Sequence, residues 1–222
     1  MLIDELKKYE VPEFFINYNK KKGIIKLNPG QEKAINAGLF SNRNLLVCTP
    51  TGSGKTLIAT LAILNALKEK NAKVVYTVPL KALAYEKYKE YSELFNGTEY
   101  KVIYSTGDQD NKDLSQYDLL ILTVEKLDSL LRSRLSWLKE IKLLIVDEIH
   151  LLNDPSRGPT VEVVITLLKH LLPNLHIISL SATIGNPEEL AEWLDAELVV
   201  DDWRPVKLEK GVMCNHTVEF IE

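Results

Sequence analysis

The stretch that most restricts what this chain can become is Thr49-Pro50-Thr51-Gly52-Ser53-Gly54-Lys55-Thr56. The apolar run Asn44-Leu45-Leu46-Val47-Cys48 before it reads as a buried parallel strand, and residues 57–70, with Ala, Leu and Ile at helical spacing, read as a helix. Strand, tight loop and helix in that order are what cradling a polyphosphate requires. Gly52 and Gly54 let successive N–H groups converge on one point, where the helix N-terminus adds its partial positive charge. Thr51 and Ser53 complete the loop. Lys55 would reach the β- and γ-phosphates, and the Thr56 hydroxyl would hold Mg²⁺. The plainer alternative is a loop that merely ends a strand and caps a helix.

A second string answers the first. Lys142-Leu143-Leu144-Ile145-Val146-Asp147-Glu148-Ile149-His150 is an apolar strand ending in adjacent carboxylates. Such a strand end delivers Asp147 beside the phosphate loop, where it can share Mg²⁺, while Glu148 can polarise the water that attacks a γ-phosphate. Alone, the pair would read as acidic residues favoured at a helix start.

Between and after these strings, strands alternate with helices. Strands are expected at residues 73–78, 100–104, 118–122, 176–180 and 197–200. Helices are expected from Leu27 to Phe40 with Pro29 in the first turn, from Pro79 to about Phe95, from Thr123, from Pro159 to Leu172 and over residues 186–194. This pattern implies an α/β fold, a mainly parallel sheet with helices on both faces, and a nucleotide site at the carboxyl ends of the strands. Residues 1–27 read as weak amphipathic helices packed on the domain, residues 28–205 as the nucleotide-binding domain, and residues 206–222 as a strand or hairpin leading out of it. The run Lys20-Lys21-Lys22 reads as solvated surface, and Trp203 as packed rather than stacking.

Length and composition set bounds. At 222 residues one large domain can bury a sizeable core, and no apolar run approaches a membrane span. With no leader visible, a cytoplasmic protein without membrane partners is expected. The two cysteines, Cys48 and Cys214, show no paired spacing, so a buried reduced thiol is expected at Cys48 and no structural metal. The net charge of −4 does not advertise nucleic-acid binding, so any such groove must be local.

Thr49 stands where the general phosphate-loop pattern has Gly, and the whole string resembles the first nucleotide motif of superfamily 2 helicases. From about Leu27 to Val212 the motifs follow the order of the DExH-box members of that superfamily, with a RecA-like P-loop NTPase fold. Val78-Pro79-Leu80-Lys81-Ala82-Leu83-Ala84, residues 184–196 and Asp202-Trp203-Arg204-Pro205-Val206 look most like the Ski-like branch, and within it the archaeal Hjm-type DNA repair helicases, related to the helicase half of DNA polymerase theta. The resemblance implies that Gln31 reads the adenine edge, with Phe14 or Phe15 able to stack on the base. It makes His150, Ser181 and Thr183 residues that couple nucleotide state to the strand. Pro79 and Lys81, Thr106 and Gly107, and Thr123, Glu125 and Lys126 become contacts to nucleic acid. Bland readings stand beside these: Thr123 as a helix cap, Thr106-Gly107-Asp108 as a turn, and Arg157-Gly158 as orienting the next helix.

By the same resemblance the chain is an ATP- and Mg²⁺-dependent 3′–5′ helicase motor on single-stranded or branched DNA. A Ski-like RNA helicase motor and a non-catalytic ATP-binding module are the alternatives. The second RecA-like domain of the family, with its arginine finger, is not found in this sequence. The chain therefore reads as a first domain, excised or separately encoded, expected to bind ATP–Mg²⁺ but to hydrolyse it poorly.

Overall fold

A computed structural model describes residues 1–107, 113–206, 209–214 and 217–221. Seven parallel strands form one sheet: β1 (Leu45–Cys48), β2 (Lys73–Val78), β3 (Val102–Ser105), β4 (Leu119–Thr123), β5 (Ile141–Val146), β6 (His176–Ser181) and β7 (Glu197–Val200). Their order across the sheet is β3-β4-β2-β5-β6-β1-β7. The helices are α1 (Glu13–Lys21), α2 (Pro29–Asn36), α3 (Lys55–Ala66), α4 (Lys81–Leu94), α5 (Val124–Arg132), α6 (Gly158–Leu171) and α7 (Pro187–Leu194). This is the α/β architecture expected of a RecA-like domain.

Period-2 alternation sorts the strand side chains into two cores. Leu45, Val47, Val74, Tyr76, Leu143 and Ile145 face the layer that contains α1 to α4. Leu46, Cys48, Val75, Leu144 and Val146 face α5, α6 and α7. Central strands are buried on both faces, so they read as continuous apolar runs.

Several boundaries differ from the expected ones. Residues Ile3–Tyr9 form a 3₁₀ helix rather than an α-helix, though both Ile3 and Leu6 are buried. Helix α2 stops at Asn36, short of Phe40, because Gly38 adopts φ 107° and turns the chain into a short 3₁₀ segment, Leu39–Ser41. Helix α3 starts two residues early, at Lys55, and ends at Ala66 before a turn with Asn71 at φ 62°. The carboxyl-terminal expectation of a strand or hairpin corresponds to β8 (Lys210–Cys214) and β9 (Thr217–Ile221), antiparallel to each other and separate from the main sheet. Asp108, placed in a turn with Thr106 and Gly107, lies outside the described residues.

Candidate nucleotide site and the groove beside it

Every candidate residue other than Gln31, Phe14 and Phe15 sits at or just beyond the carboxyl end of a parallel strand. The register aligns these ends: Cys48 of β1 lies opposite Ser181 of β6, Val78 of β2 opposite Thr123 of β4, and Thr77 opposite Val146. Because the strands are parallel, one edge of the sheet carries the loop after β1, the carboxylates after β5, and the segments after β2, β3, β4 and β6.

The loop is held from behind and open in front. Gly52 (φ 79°) and Gly54 (φ 81°) take left-handed conformations that L side chains rarely adopt. Ser53 Oγ lies 2.7 Å from Thr49 Oγ1, and Ser53 N donates to Pro50 O at 3.2 Å. Two amides from the start of α2 grip the loop carbonyls: Asn28 Nδ2 donates to Ser53 O at 2.6 Å and Gln31 Nε2 to Gly54 O at 3.1 Å. Both amides are fixed by a reciprocal cap, in which Gln31 N donates to Asn28 Oδ1 and Asn28 N to Gln31 Oε1, each at 2.9 Å. Among the described residues the N–H groups of Thr51, Gly52 and Gly54 have no protein partner. Carbonyls tied and N–H groups free, at the start of a helix, make an anion nest.

Gln31 is therefore engaged with the loop, and its side chain is buried. Phe14 packs edge-on against Phe95 with centroids 6.2 Å apart, and Phe15 is buried in the same core.

Lys55 folds back over the loop, donating to Thr49 O at 2.8 Å and Pro50 O at 3.2 Å. Burial lowers its pKa, opposed by the charges of Glu148 and Asp147. Asp147 stands on the same side of the sheet as the loop helix, since it continues the alternation of Leu143 and Ile145. Tyr76 OH donates to Asp147 Oδ2 at 2.9 Å, and Glu148 N to Asp147 Oδ1 at 3.1 Å. Glu148 itself is left-handed, at φ 55° and ψ 47°, which bends the chain off the strand between the two acids. His150 Nδ1 lies 3.3 Å from Glu148 Oε2 without meeting hydrogen-bond geometry.

The hydroxyls of the two candidate coupling residues at the end of β6, Ser181 and Thr183, differ. Ser181 is buried, its carbonyl accepts from Thr49 N at 3.2 Å, and its hydroxyl has no partner among the described residues. Thr183 is exposed.

Next to this site a groove of about 560 Å³ is lined by Pro79, Lys81, Gly107, Thr123, Glu125 and Lys126, with Arg157 at its side. Thr106 is half-buried and outside that lining. Thr123 caps α5, its hydroxyl accepting from Lys126 N at 3.4 Å, and Lys126 is itself buried in the wall. Arg157 Nη1 donates to Pro79 O at 3.1 Å, so the loop after the carboxylates braces the segment that opens α4.

The oxygen donors Thr56 and Asp147 suit a hard cation shared with phosphate. Among the described residues no cluster of three or more His, Cys, Asp or Glu could hold a metal. Cys48 is a buried free thiol, pushed by burial up to about 11. No helix among the described residues is long and apolar enough to cross a membrane.

Three contributors escaped sequence reasoning: Tyr76 on Asp147, Asn28 on the loop, and Lys87, whose Nζ donates to Thr56 Oγ1 at 2.9 Å. Tyr76 left a trace, since its place in β2 puts it on the face to which Asp147 belongs. Lys87 left none, being one lysine of several on a polar helix.

Comparison with known proteins gives the family and the fold. Residues 28–190 match the family model described as DEAD/DEAH box helicase. ATP-dependent DNA helicase Hel308 of Methanocaldococcus jannaschii is 50% identical over 209 residues, which are 91% of this chain and 17% of that protein. Hel308 of Pyrococcus horikoshii is 50% identical over 214 residues, 96% of this chain and 29% of its own. The chain thus spans less than a third of the length of these relatives. The crystal structure of the DUF1998 helicase MrfA bound to DNA shares the fold, with a TM-score of 0.73, 24% identity, and coverage of 86% of this chain and 30% of that one.

Proposed function

Because the chain belongs to the DEAD/DEAH box helicase family, we propose that it is the ATP-binding motor domain of a 3′–5′ DNA helicase acting on single-stranded and branched DNA in repair and recombination. The observation that carries this reading is the shared sheet edge: the anion nest after β1, the acid pair after β5 and the groove between β2 and β4 open side by side. DNA is preferred to RNA because the similar proteins are DNA helicases by name.

Each residue then has a task. The free N–H groups of Thr51, Gly52 and Gly54 and the α3 N-terminus bind the polyphosphate. Lys55 swings from the loop carbonyls to the phosphates, a move favoured because its present partners are neutral. Thr56 and Asp147 would hold Mg²⁺, which would supply positive charge to neutralise that developing on the phosphates. Glu148 orients the attacking water and takes its proton, and His150, beside Glu148, reports that state toward the strand. Gln31, already on Gly54, is placed to present its remaining amide capacity to a base. Lys81, Gly107 and Thr123 bind phosphates of the tracking strand, and Pro79 packs against its backbone.

An arginine finger from a second RecA-like domain contributes about 10³ to 10⁵ in turnover. Residues 1–222 taken alone, with no such finger supplied, bind ATP–Mg²⁺ and hydrolyse it slowly. The test is thermal unfolding with and without a non-hydrolysable ATP analogue and Mg²⁺, in wild type and Lys55→Ala. At 100 times Kd the ligand adds about 2.7 kcal/mol; a shift in wild type that Lys55→Ala loses supports the site, and no shift at millimolar nucleotide rejects it. Vigorous DNA-stimulated hydrolysis by the isolated chain would reject the dependence on a second domain.

A further inference from the structure

Helix α4 reaches the nucleotide loop at a point no motif announces. The Lys87 side chain is 14% exposed, pairs with Glu90 Oε2 at 3.0 Å and donates to Thr56 Oγ1 at 2.9 Å. An ammonium only donates, so it occupies a lone pair of the oxygen assigned to Mg²⁺. From behind, Thr56 is equally constrained: Thr60 Oγ1 donates to Thr56 O at 2.8 Å and lies 3.3 Å from Tyr91 OH. A half-buried lysine held between a carboxylate and a hydroxyl is a built cation position rather than a solvated surface charge.

We propose that Lys87 is a monovalent stand-in for the divalent cation, holding Thr56 in the metal-free domain and leaving when a metal takes that oxygen. Metal loading is then an exchange of cations at Thr56. This rests on the nucleotide reading above and adds a consequence to it. While the metal is absent, the ammonium supplies positive charge beside the phosphates; once the metal is bound, Lys87 no longer faces them. Removing it weakens the metal-free nucleotide complex and spares the loaded one, so the apparent metal affinity must rise by the same factor.

The experiment is equilibrium titration of the whole chain with N-methylanthraniloyl-ADP in EDTA and across graded Mg²⁺, for wild type, Lys87→Met and Lys87→Arg. Lys87→Met is expected to weaken binding in EDTA about five- to tenfold, as loss of one partly buried charge contact implies. At saturating Mg²⁺ it should stay within about twofold of wild type, so the half-saturating Mg²⁺ falls by the same five- to tenfold. Lys87→Arg, which keeps the charge, should follow wild type. Equal weakening with and without Mg²⁺, no change in either condition, or an Arg variant that behaves like the Met variant would each overturn the proposal while leaving nucleotide binding intact. Failure of wild type to bind nucleotide in any condition would instead overturn the nucleotide reading, and this inference with it.

Discussion

Tyr76, with no exposed surface, donates its hydroxyl to Asp147 Oδ2 at 2.9 Å. Burial pushes its own ionisation far up, so it remains a donor throughout the accessible pH range. The bond fixes one carboxylate oxygen, and Glu148 N fixes the other at 3.1 Å. Tyr76→Phe should cost roughly 1–2 kcal/mol of stability. It should also raise the half-saturating Mg²⁺ for nucleotide binding about threefold to tenfold, because Asp147 loses its orientation. An unchanged Mg²⁺ dependence would show that Asp147 needs no such anchor.

Gly52 and Gly54 share a left-handed backbone and differ in their surroundings. A Cβ on Gly52 meets nothing within 4 Å, whereas on Gly54 it would stand 2.5 Å from Gln31 Nε2. Gly52→Ala should therefore carry only the backbone penalty, about 1 kcal/mol. Gly54→Ala must in addition break the Gln31 clamp, and should reduce nucleotide affinity about tenfold more than Gly52→Ala does. Equal losses in the two variants would show that the clamp is dispensable.

Arg157 braces Pro79 through its carbonyl at 3.1 Å. If it acts by positioning, Arg157→Gln should weaken single-stranded DNA binding about threefold to tenfold without altering the slope of log K against log salt. A slope reduced by about 0.7 would mark it as a direct phosphate ligand instead. The nucleotide-induced thermal shift should be unaffected in either case.

His176 lies at the opposite edge of the sheet, 3% exposed, its Nε2 donating to Arg43 O at 2.7 Å and its Nδ1 without a partner among the described residues. Burial lowers its pKa to about 4. The unfolded chain binds that proton more readily, so the stability is complete above about pH 6.5 and is lost as pH falls toward 4, by roughly 3 kcal/mol. Denaturant unfolding of wild type and His176→Gln between pH 7 and 4.5 should show the steeper decline in wild type. Parallel declines would mean that His176 titrates as it does in the unfolded chain.

Much of this fold could be read from the chain because each central strand is an apolar run ended by its own punctuation: Thr49-Pro50, Pro79, Thr123, Asp147-Glu148. Strand ends are local properties, and in a parallel sheet they converge without further information. What could not be read is whatever depends on two distant side chains meeting. Lys87 and Thr56 are 31 positions apart, Tyr76 and Asp147 71 apart. Gly38 ended α2 early for a reason that is local but weak in sequence, since a single Gly inside a helical pattern is often tolerated.

Helix α4 carries Lys81 at the groove and Lys87 at Thr56, six residues and about 9 Å apart along the axis. Fourteen residues of continuous helix behave as a rod, so Lys81 at its start and Lys87 at its middle cannot be displaced independently. Work done at one of these points is therefore felt at the other. If loading the nucleotide loop shifts this rod, its hold on a strand changes by some factor, and equilibrium requires the strand to change the hold on nucleotide by the same factor.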